Sequence, residues 1–331
     1  MARVLCAGSF ICDLVAAGLP RIGAPGDLVY APRGIELCAG GHAVNVSIDL
    51  AQLGERDVAA AGCVGDDPLG DFLEEALRRR GVKTYTERLG DVHTAKNLVL
   101  VVEGEDRRFF AELAANTMLS PGHLLSALED ARPDLLFLGT VGGLKVLDPH
   151  LHEVLDAARR RRCLTVVDVV MPHGEGWSRL ASALPLIDVL HCNDLEASTL
   201  TGARDPGAAA DVLIDEGACL ALISMGARGL VAATEALKLE VPPFKVDAVD
   251  PTGAGDALCA GVIHAILDAP IDRERLPAVS LDVLKRVLLE GAAAGAACVT
   301  APGATAAVTR GAVDRLIREQ GELVWSASRL L

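Results

Sequence analysis

Aromatic side chains are scarce in this chain: Phe, Trp and Tyr supply 3% of its 331 residues. With 51% apolar and 23% charged residues the balance is globular, and the core must rest on Ala, Val, Leu and Ile. Basic surface is short as well. Lys and Arg number 31 against 45 Asp and Glu, a formal net charge of −14. No basic face is evident, which argues against a nucleic-acid partner. The densest basic run, Arg159-Arg160-Arg161-Arg162, follows a helical stretch and reads as a solvated helix end, where cations suit the helix dipole. No apolar run reaches the ~18 residues of a membrane span, and Glu290 interrupts the best late stretch. The start, Met1-Ala2-Arg3-Val4-Leu5, enters a short strand without the apolar region of a secretory signal. The nine cysteines include no C-x-x-C pair. They read as buried free thiols of a cytoplasmic protein.

What is present is an alternation of short apolar runs and helical patterns. Strands are expected over 4–7, 57–64, 97–102, 135–138, 164–169, 189–192 and 219–224. Helices are expected over 43–52, 69–79, 151–160, 208–215, 256–269, 281–299 and 311–319. Such an order predicts βαβ units, a central parallel sheet and helices on both faces, in one domain spanning 1–331. Two regions break the rhythm. Residues 13–38 are rich in Pro and Gly, and residues 94–113 read as strands 99–102 and 107–110 around Gly104. Both suggest β-structure outside the main sheet, which could form a lid over a cleft.

Residues 244–250 alternate like a further strand. They lead into Pro251-Thr252-Gly253-Ala254-Gly255, then Asp256 and an apolar helical run. A strand, a glycine turn and a helix start present unpaired N–H groups and the positive end of a helix dipole, a setting for an anion. A carboxylate there is an electrostatic liability unless it caps the helix or does chemistry. In phosphoryl transfer to an alcohol, Asp256 would take the hydroxyl proton while the Gly253, Ala254 and Gly255 amides stabilise the phosphoryl charge. The string is not a Walker P-loop, since no G-x-x-x-x-G-K-[ST] occurs. Nor is it a dinucleotide fingerprint, because Leu258 stands at the third-glycine position.

Residues 250–263 resemble the late signature of the ribokinase-like carbohydrate kinases, the PfkB family. The early family signature is matched by Gly40-Gly41-His42-Ala43-Val44-Asn45, Leu53-Gly54 and Val64-Gly65-Asp66-Asp67, in order and at family spacing. The resemblance implies a three-layer α/β/α sandwich with a mostly parallel sheet, and a small β-sheet lid from 13–38 and 94–113. It implies ATP and Mg²⁺ as cofactors. Asn193-Asp194-Leu195-Glu196 looks like the N-x-x-E box that organises the ion and its waters. Ser224, Gly226 and Gly229 match the family's nucleotide loop, and Ala301-Pro302-Gly303-Ala304 the segment flanking adenine. Asp13, Gly40, Gly41 and Asn45 fall where the acceptor sugar binds. Asp250, Thr252, Cys298, Ala301 and Gly303 fall where a monovalent cation such as K⁺ is held. Homodimers through the lid are common among similar proteins.

The expected activity is transfer of the ATP γ-phosphoryl group to a hydroxyl, primary by preference, of a carbohydrate. Ribokinases carry a Glu near the end of strand 135–138, where this chain has Leu138-Gly139-Thr140, which counts against ribose. The D-x-N-x-R pattern of keto-deoxygluconate kinases is replaced by Asp168-Val169-Val170-Met171-Pro172. A nucleoside kinase shares both signatures, and Phe109, Phe110 and Tyr30 could offer a platform for a base. From another class, a non-catalytic sugar- or nucleotide-binding regulator is the alternative, against which the intact Asp256 and glycines count. His42 and the His150/His152 pair read as surface positions.

Overall fold

A computed structural model describes residues 3–105, 108–171, 176–269 and 271–331. Its strands are β1 (Val4–Ala7), β2 (Ile11–Leu19), β3 (Ile35–Gly40), β4 (Val58–Gly65), β5 (Lys83–Leu89), β6 (Lys96–Val102), β7 (Arg108–Glu112), β8 (Leu135–Val141), β9 (Leu164–Val169), β10 (Val189–Asn193), β11 (Leu220–Ser224), β12 (Leu230–Ala233), β13 (Lys238–Val241) and β14 (Arg329–Leu330). Its helices are α1 (His42–Leu53), α2 (Pro68–Arg79), α3 (Pro121–Ala131), α4 (Leu151–Arg160), α5 (Gly176–Ala183), α6 (Asp194–Thr201), α7 (Pro206–Asp215), α8 (Ala254–Asp268), α9 (Leu281–Cys298) and α10 (Arg310–Ser326).

The main sheet runs β14-β13-β12-β11-β10-β9-β8-β1-β4-β5. The strands from β11 to β5 pair in parallel, and β12, β13 and β14 add an antiparallel edge. Strands β1, β4 and β8 are buried at every residue, as parallel strands covered on both faces must be. Alternate residues of β1 enter opposite cores. Val4 and Cys6 pack with α1, α8, α9 and α10; Leu5 and Ala7 pack with α3, α4 and α7. Helix starts carry their own signals. Asp67, Ser120 and Asp205 cap α2, α3 and α7, each followed by Pro at the first turn. Helices α8 and α9 approach closely at Gly261, where a Cβ would lie 2.6 Å from the Glu290 carbonyl oxygen.

Because β4 flanks β1 on one side and β8 on the other, the chain reverses its direction of sheet growth at β1. Ligands of such sheets bind beyond the carboxyl ends of the strands at that switch. Both irregular segments enter one separate sheet of order β3-β2-β6-β7. The expected strand 107–110 appears as β7; residue 107 itself lies outside the described residues.

One expected strand fails. Residues 244–250 form no strand, because Pro242 and Pro243 follow β13 and cannot donate to a ladder. The amides of Val249 and Asp250 turn instead to the Val299 carbonyl, at 2.7 and 3.2 Å. Strands β5, β12, β13 and β14 and helices α3, α5 and α6 carry weaker patterns and went unread. The Arg159–Arg162 run is exposed at the end of α4, as are His150 and His152 near its start.

Candidate active site

The glycine turn is built by backbone conformation. Gly253, the N-cap of α8, has φ +77°, and a Cβ there would fall 2.5 Å from the Ala304 Cβ. Only glycine meets both demands without strain. Ala254 N donates weakly to the Pro251 carbonyl at 3.3 Å. Among the described residues the Gly253, Gly255 and Asp256 amides have no backbone acceptor in this turn, as a helix N-terminus leaves them. Asp250 fixes the turn from below. It accepts from Thr252 N at 2.9 Å, from the Thr252 hydroxyl at 2.6 Å and from Gly303 N at 3.0 Å. The Cys298 thiol donates to the carbonyls of Thr252 and Ala304, at 3.2 and 3.0 Å. Asp250, Thr252, Cys298 and Gly303 are therefore in mutual contact, with Ala301 in the same loop.

Asp256 stands in the first turn of α8 and is buried. Its Oδ2 accepts from Asn45 Nδ2 at 2.8 Å, while its Oδ1 has no hydrogen-bond partner among the described residues. Asn45 is placed by α1, which starts after Gly41. Gly41 has φ +93°, and a Cβ there would be 2.4 Å from the Ser9 carbonyl oxygen. Burial pushes the Asp256 carboxyl above its ordinary value, and His42 nearby opposes that shift.

Asp13 projects from β2 in register with Asn97 of β6, whose amide donates to it at 2.8 Å. A Cβ on Gly40 would be 2.3 Å from its other oxygen, so the carboxylate sits tight against the Gly40-Gly41 turn. Burial raises the Asp13 pKa to about 6; the Asn97 hydrogen bond works against this, and Asp250 and Asp256 add to it. The small sheet thus delivers one carboxylate to the cleft where α8 delivers another.

Asn193 and Glu196 form a capping box at the start of α6: each side chain accepts from the other's backbone N–H at 2.9 Å. Asn193 pairs in register with Ser224 at the ends of β10 and β11. Arg228 bridges to Asp194 and ties the glycine loop 226–229 to α6. Gly226 and Gly229 both have positive φ, and a Cβ on Gly229 would be 2.1 Å from the Val241 carbonyl oxygen.

Three residues of this cleft went unread in the sequence, and one was misread. His42 is no surface residue: its side chain is 24% exposed and its Nδ1 lies 3.0 Å from Asp168 Oδ2 and 3.4 Å from Asp256 Oδ1. Asp168 also meets His191 Nδ1 at 2.7 Å, and His191 Nε2 reaches the Ser224 hydroxyl at 3.1 Å. Ser224, expected to face a nucleotide, is thereby held in a side-chain network. The signal for Asp168 and His191 was available, since each puts a titratable group into a mostly apolar strand. Asn97, the third, gave no such signal, and only the register of β2 with β6 brings it to Asp13.

The model of the pfkB family of carbohydrate kinases matches residues 1–310. The chain belongs to that family. Aminoimidazole riboside kinase of Salmonella typhimurium is 28% identical over 289 residues, covering 82% of this chain and 85% of the relative. A fructokinase from Xylella fastidiosa solved with bound ATP superposes with TM-score 0.80 at 27% identity, covering 96% of this chain and 98% of the other. An E. coli protein described as a ribokinase II, solved with ATP and Mg²⁺, has the same fold: TM-score 0.78, 19% identity, 96% and 100% coverage. This pfkB family member is an ATP-dependent carbohydrate kinase of the sugar and nucleoside group, and the reading as a silent regulator falls. No helix among the described residues is long and apolar enough to cross a membrane.

Proposed function

We propose that Asp256 is the general base that removes a proton from an acceptor hydroxyl, preferably primary, as the ATP γ-phosphoryl group is transferred to it. The observation that carries this is the state of its carboxylate. It is buried beside a helix N-terminus, one oxygen is fixed by Asn45, and the other has no hydrogen bond among the described residues. A base whose pKa is raised by burial is suited to such a transfer. The amides of Gly253 and Gly255 face the anion, with Ala254 N partly spent on Pro251. Asp13, Gly40, Gly41 and Asn45 orient the acceptor. The separate sheet acts as a lid on a single domain of 1–331.

Ser224, Gly226, Gly229 and Gly303 line the nucleotide side. Mg²⁺ fits Asn193 and Glu196 through waters, because the capping box uses one Glu196 oxygen and leaves the other without a hydrogen bond among the described residues. When bound, the ion neutralises phosphate charge. K⁺ fits the loop of Asp250, Thr252, Cys298, Ala301 and Gly303, which already gathers carbonyls beside the anion turn. The cysteines are all free thiols, in keeping with a reducing cytoplasm.

A nucleoside acceptor is the second reading. Strand alternation and register place Phe109 on the same face of the small sheet as Asp13, in reach of a base, and Phe110 on the opposite face. That opposite face carries the cross-strand row Leu37, Leu14, Leu98 and Phe110. Three of the four, Leu37, Leu98 and Phe110, are exposed at 39%, 42% and 61%. An exposed apolar row supports a homodimer through the lid.

The test is Asp256→Asn with ADP release as readout, over pentoses, hexoses and nucleosides, with and without K⁺. Turnover should fall by about 10²–10⁴ while ATP affinity is kept. Near-wild-type turnover in that variant sinks the assignment.

A further inference from the structure

Carboxylates gather in the cleft. Asp13, Asp256, Asp168 and Glu196 influence one another there, and the imidazoles of His42 and His191 lie directly against two of them, Asp168 and Asp256. Yet the reaction brings in a polyphosphate whose transferred group carries negative charge throughout.

His42 is built into this carboxylate cluster. Its backbone N–H donates to the Ser9 hydroxyl at 3.0 Å, which is bonded to Thr140 at 2.6 Å. Gly139 leaves room for it: a Cβ there would be 2.5 Å from the His42 Cβ. Its Nδ1 faces two carboxylates, Asp168 from β9 and Asp256 from α8. Asp168 is in turn oriented by His191 from β10, which is held by Ser224 of β11. Glu196 of α6 adds negative potential. Two buried carboxylates so close require a compensating cation. The second ring nitrogen, Nε2, has no hydrogen-bond partner among the described residues and is not buried. With Nδ1 committed to the carboxylates, Nε2–H is the atom left for a ligand.

We propose that His42 is a further catalytic residue, a fixed imidazolium whose Nδ1 is anchored by Asp168 and lies beside Asp256 and whose Nε2–H binds the oxygens of the phosphoryl group in transfer. This rests on the reading of Asp256 as base. In the step, the acceptor oxygen bonds to phosphorus and its proton passes to Asp256. The bond from phosphorus to the bridging oxygen breaks, and ADP leaves with the electron pair. His42 keeps its proton throughout and supplies only charge. Burial alone would lower its pKa, but Asp256 and Asp168 outweigh burial and hold it at about 10, so the cation persists across the physiological range.

The decisive measurement needs no acceptor. Affinity for Mg²⁺-ADP with aluminium fluoride, a mimic of the phosphoryl group in flight, is compared with affinity for Mg²⁺-ADP alone, by calorimetry on the full chain. The wild type should prefer the mimic, and His42→Gln should lose about 10²–10³ of that preference, the scale of one removed transition-state donor. His42→Lys should recover part of it by restoring the charge. Asp168→Asn, which removes one anchor, should move the alkaline loss of preference from about pH 10 toward neutrality. A His42→Gln protein that keeps the wild-type preference overturns the proposal. So does a wild type that does not distinguish the two ligands, or a His42→Lys variant no better than Gln. Asp256→Asn turnover is read separately. If that variant stays active, the base assignment fails while the mimic data still decide the role of His42.

Discussion

Asp49 lies in α1, one turn beyond Asn45 on the same helical face, fully buried and with neither carboxylate oxygen hydrogen-bonded. Burial holds its carboxyl well above the ordinary range, Asp256 adds to the shift, and Arg80 opposes it. Burial therefore favours its neutral form, with hydrogen bonds unmet among the described residues. Replacing it with Ala should stabilise the protein. Relief of the desolvation penalty contributes about 1–3 kcal/mol, and better helix propensity adds a few tenths. A residual void of order 20 Å³ costs about 0.5 kcal/mol at ~24 cal/mol per Å³. Unfolding entropy of roughly 2.1 cal/mol/K per residue converts a net gain of ~1–3 kcal/mol into only about 1.5–4 °C of Tm. Urea unfolding is the sharper assay, and pH gives the sign test. In the wild type, the folded state keeps a proton that the unfolded chain releases above a pH of about 3.9. Stability thus falls as pH rises from there to the raised folded pKa, by up to about 1.4 kcal/mol per unit. Asp49→Ala removes this term, so its advantage should grow with pH across that window. A destabilised variant, or a gain independent of pH, would refute the reasoning.

Gly253→Ala should lower both stability and turnover. The left-handed conformation alone costs a β-carbon roughly 1–2 kcal/mol, and the Ala304 contact must also move; an unchanged melting curve would contradict this. Asp13 should bind the acceptor best when ionised, so the acceptor KM should fall as pH rises through about 6, with kcat affected less. Asp13→Asn should abolish that pH dependence of KM, and a KM flat in the wild type removes Asp13 from the acceptor site. Phe110→Glu should convert a dimer to a monomer in light scattering after size exclusion. A wild type already monomeric at high concentration sinks the lid dimer.

The sequence by itself determined the layered α/β plan, the anion turn and the two signatures, because these depend on local rules. A 3.6-residue or all-apolar repeat, a glycine that must reach positive φ, and a carboxylate at a helix start are all legible along the chain. It also placed the two segments of the small sheet, since Pro and Gly break the rhythm over 13–38 and 94–113 reads as two short strands around Gly104. Local alternation misled at 244–250, where Pro242-Pro243 removed the ladder donors. Only the tertiary structure decided which charges meet. Asn45 and Asp256 are 211 positions apart, and His42 and Asp168 are 126 apart. They converge because α1 follows the small sheet, β9 ends beside β10, and α8 returns late to the switch point at β1. No periodicity encodes that convergence. It turned His42 from a residue expected at the surface into the partner of two buried carboxylates.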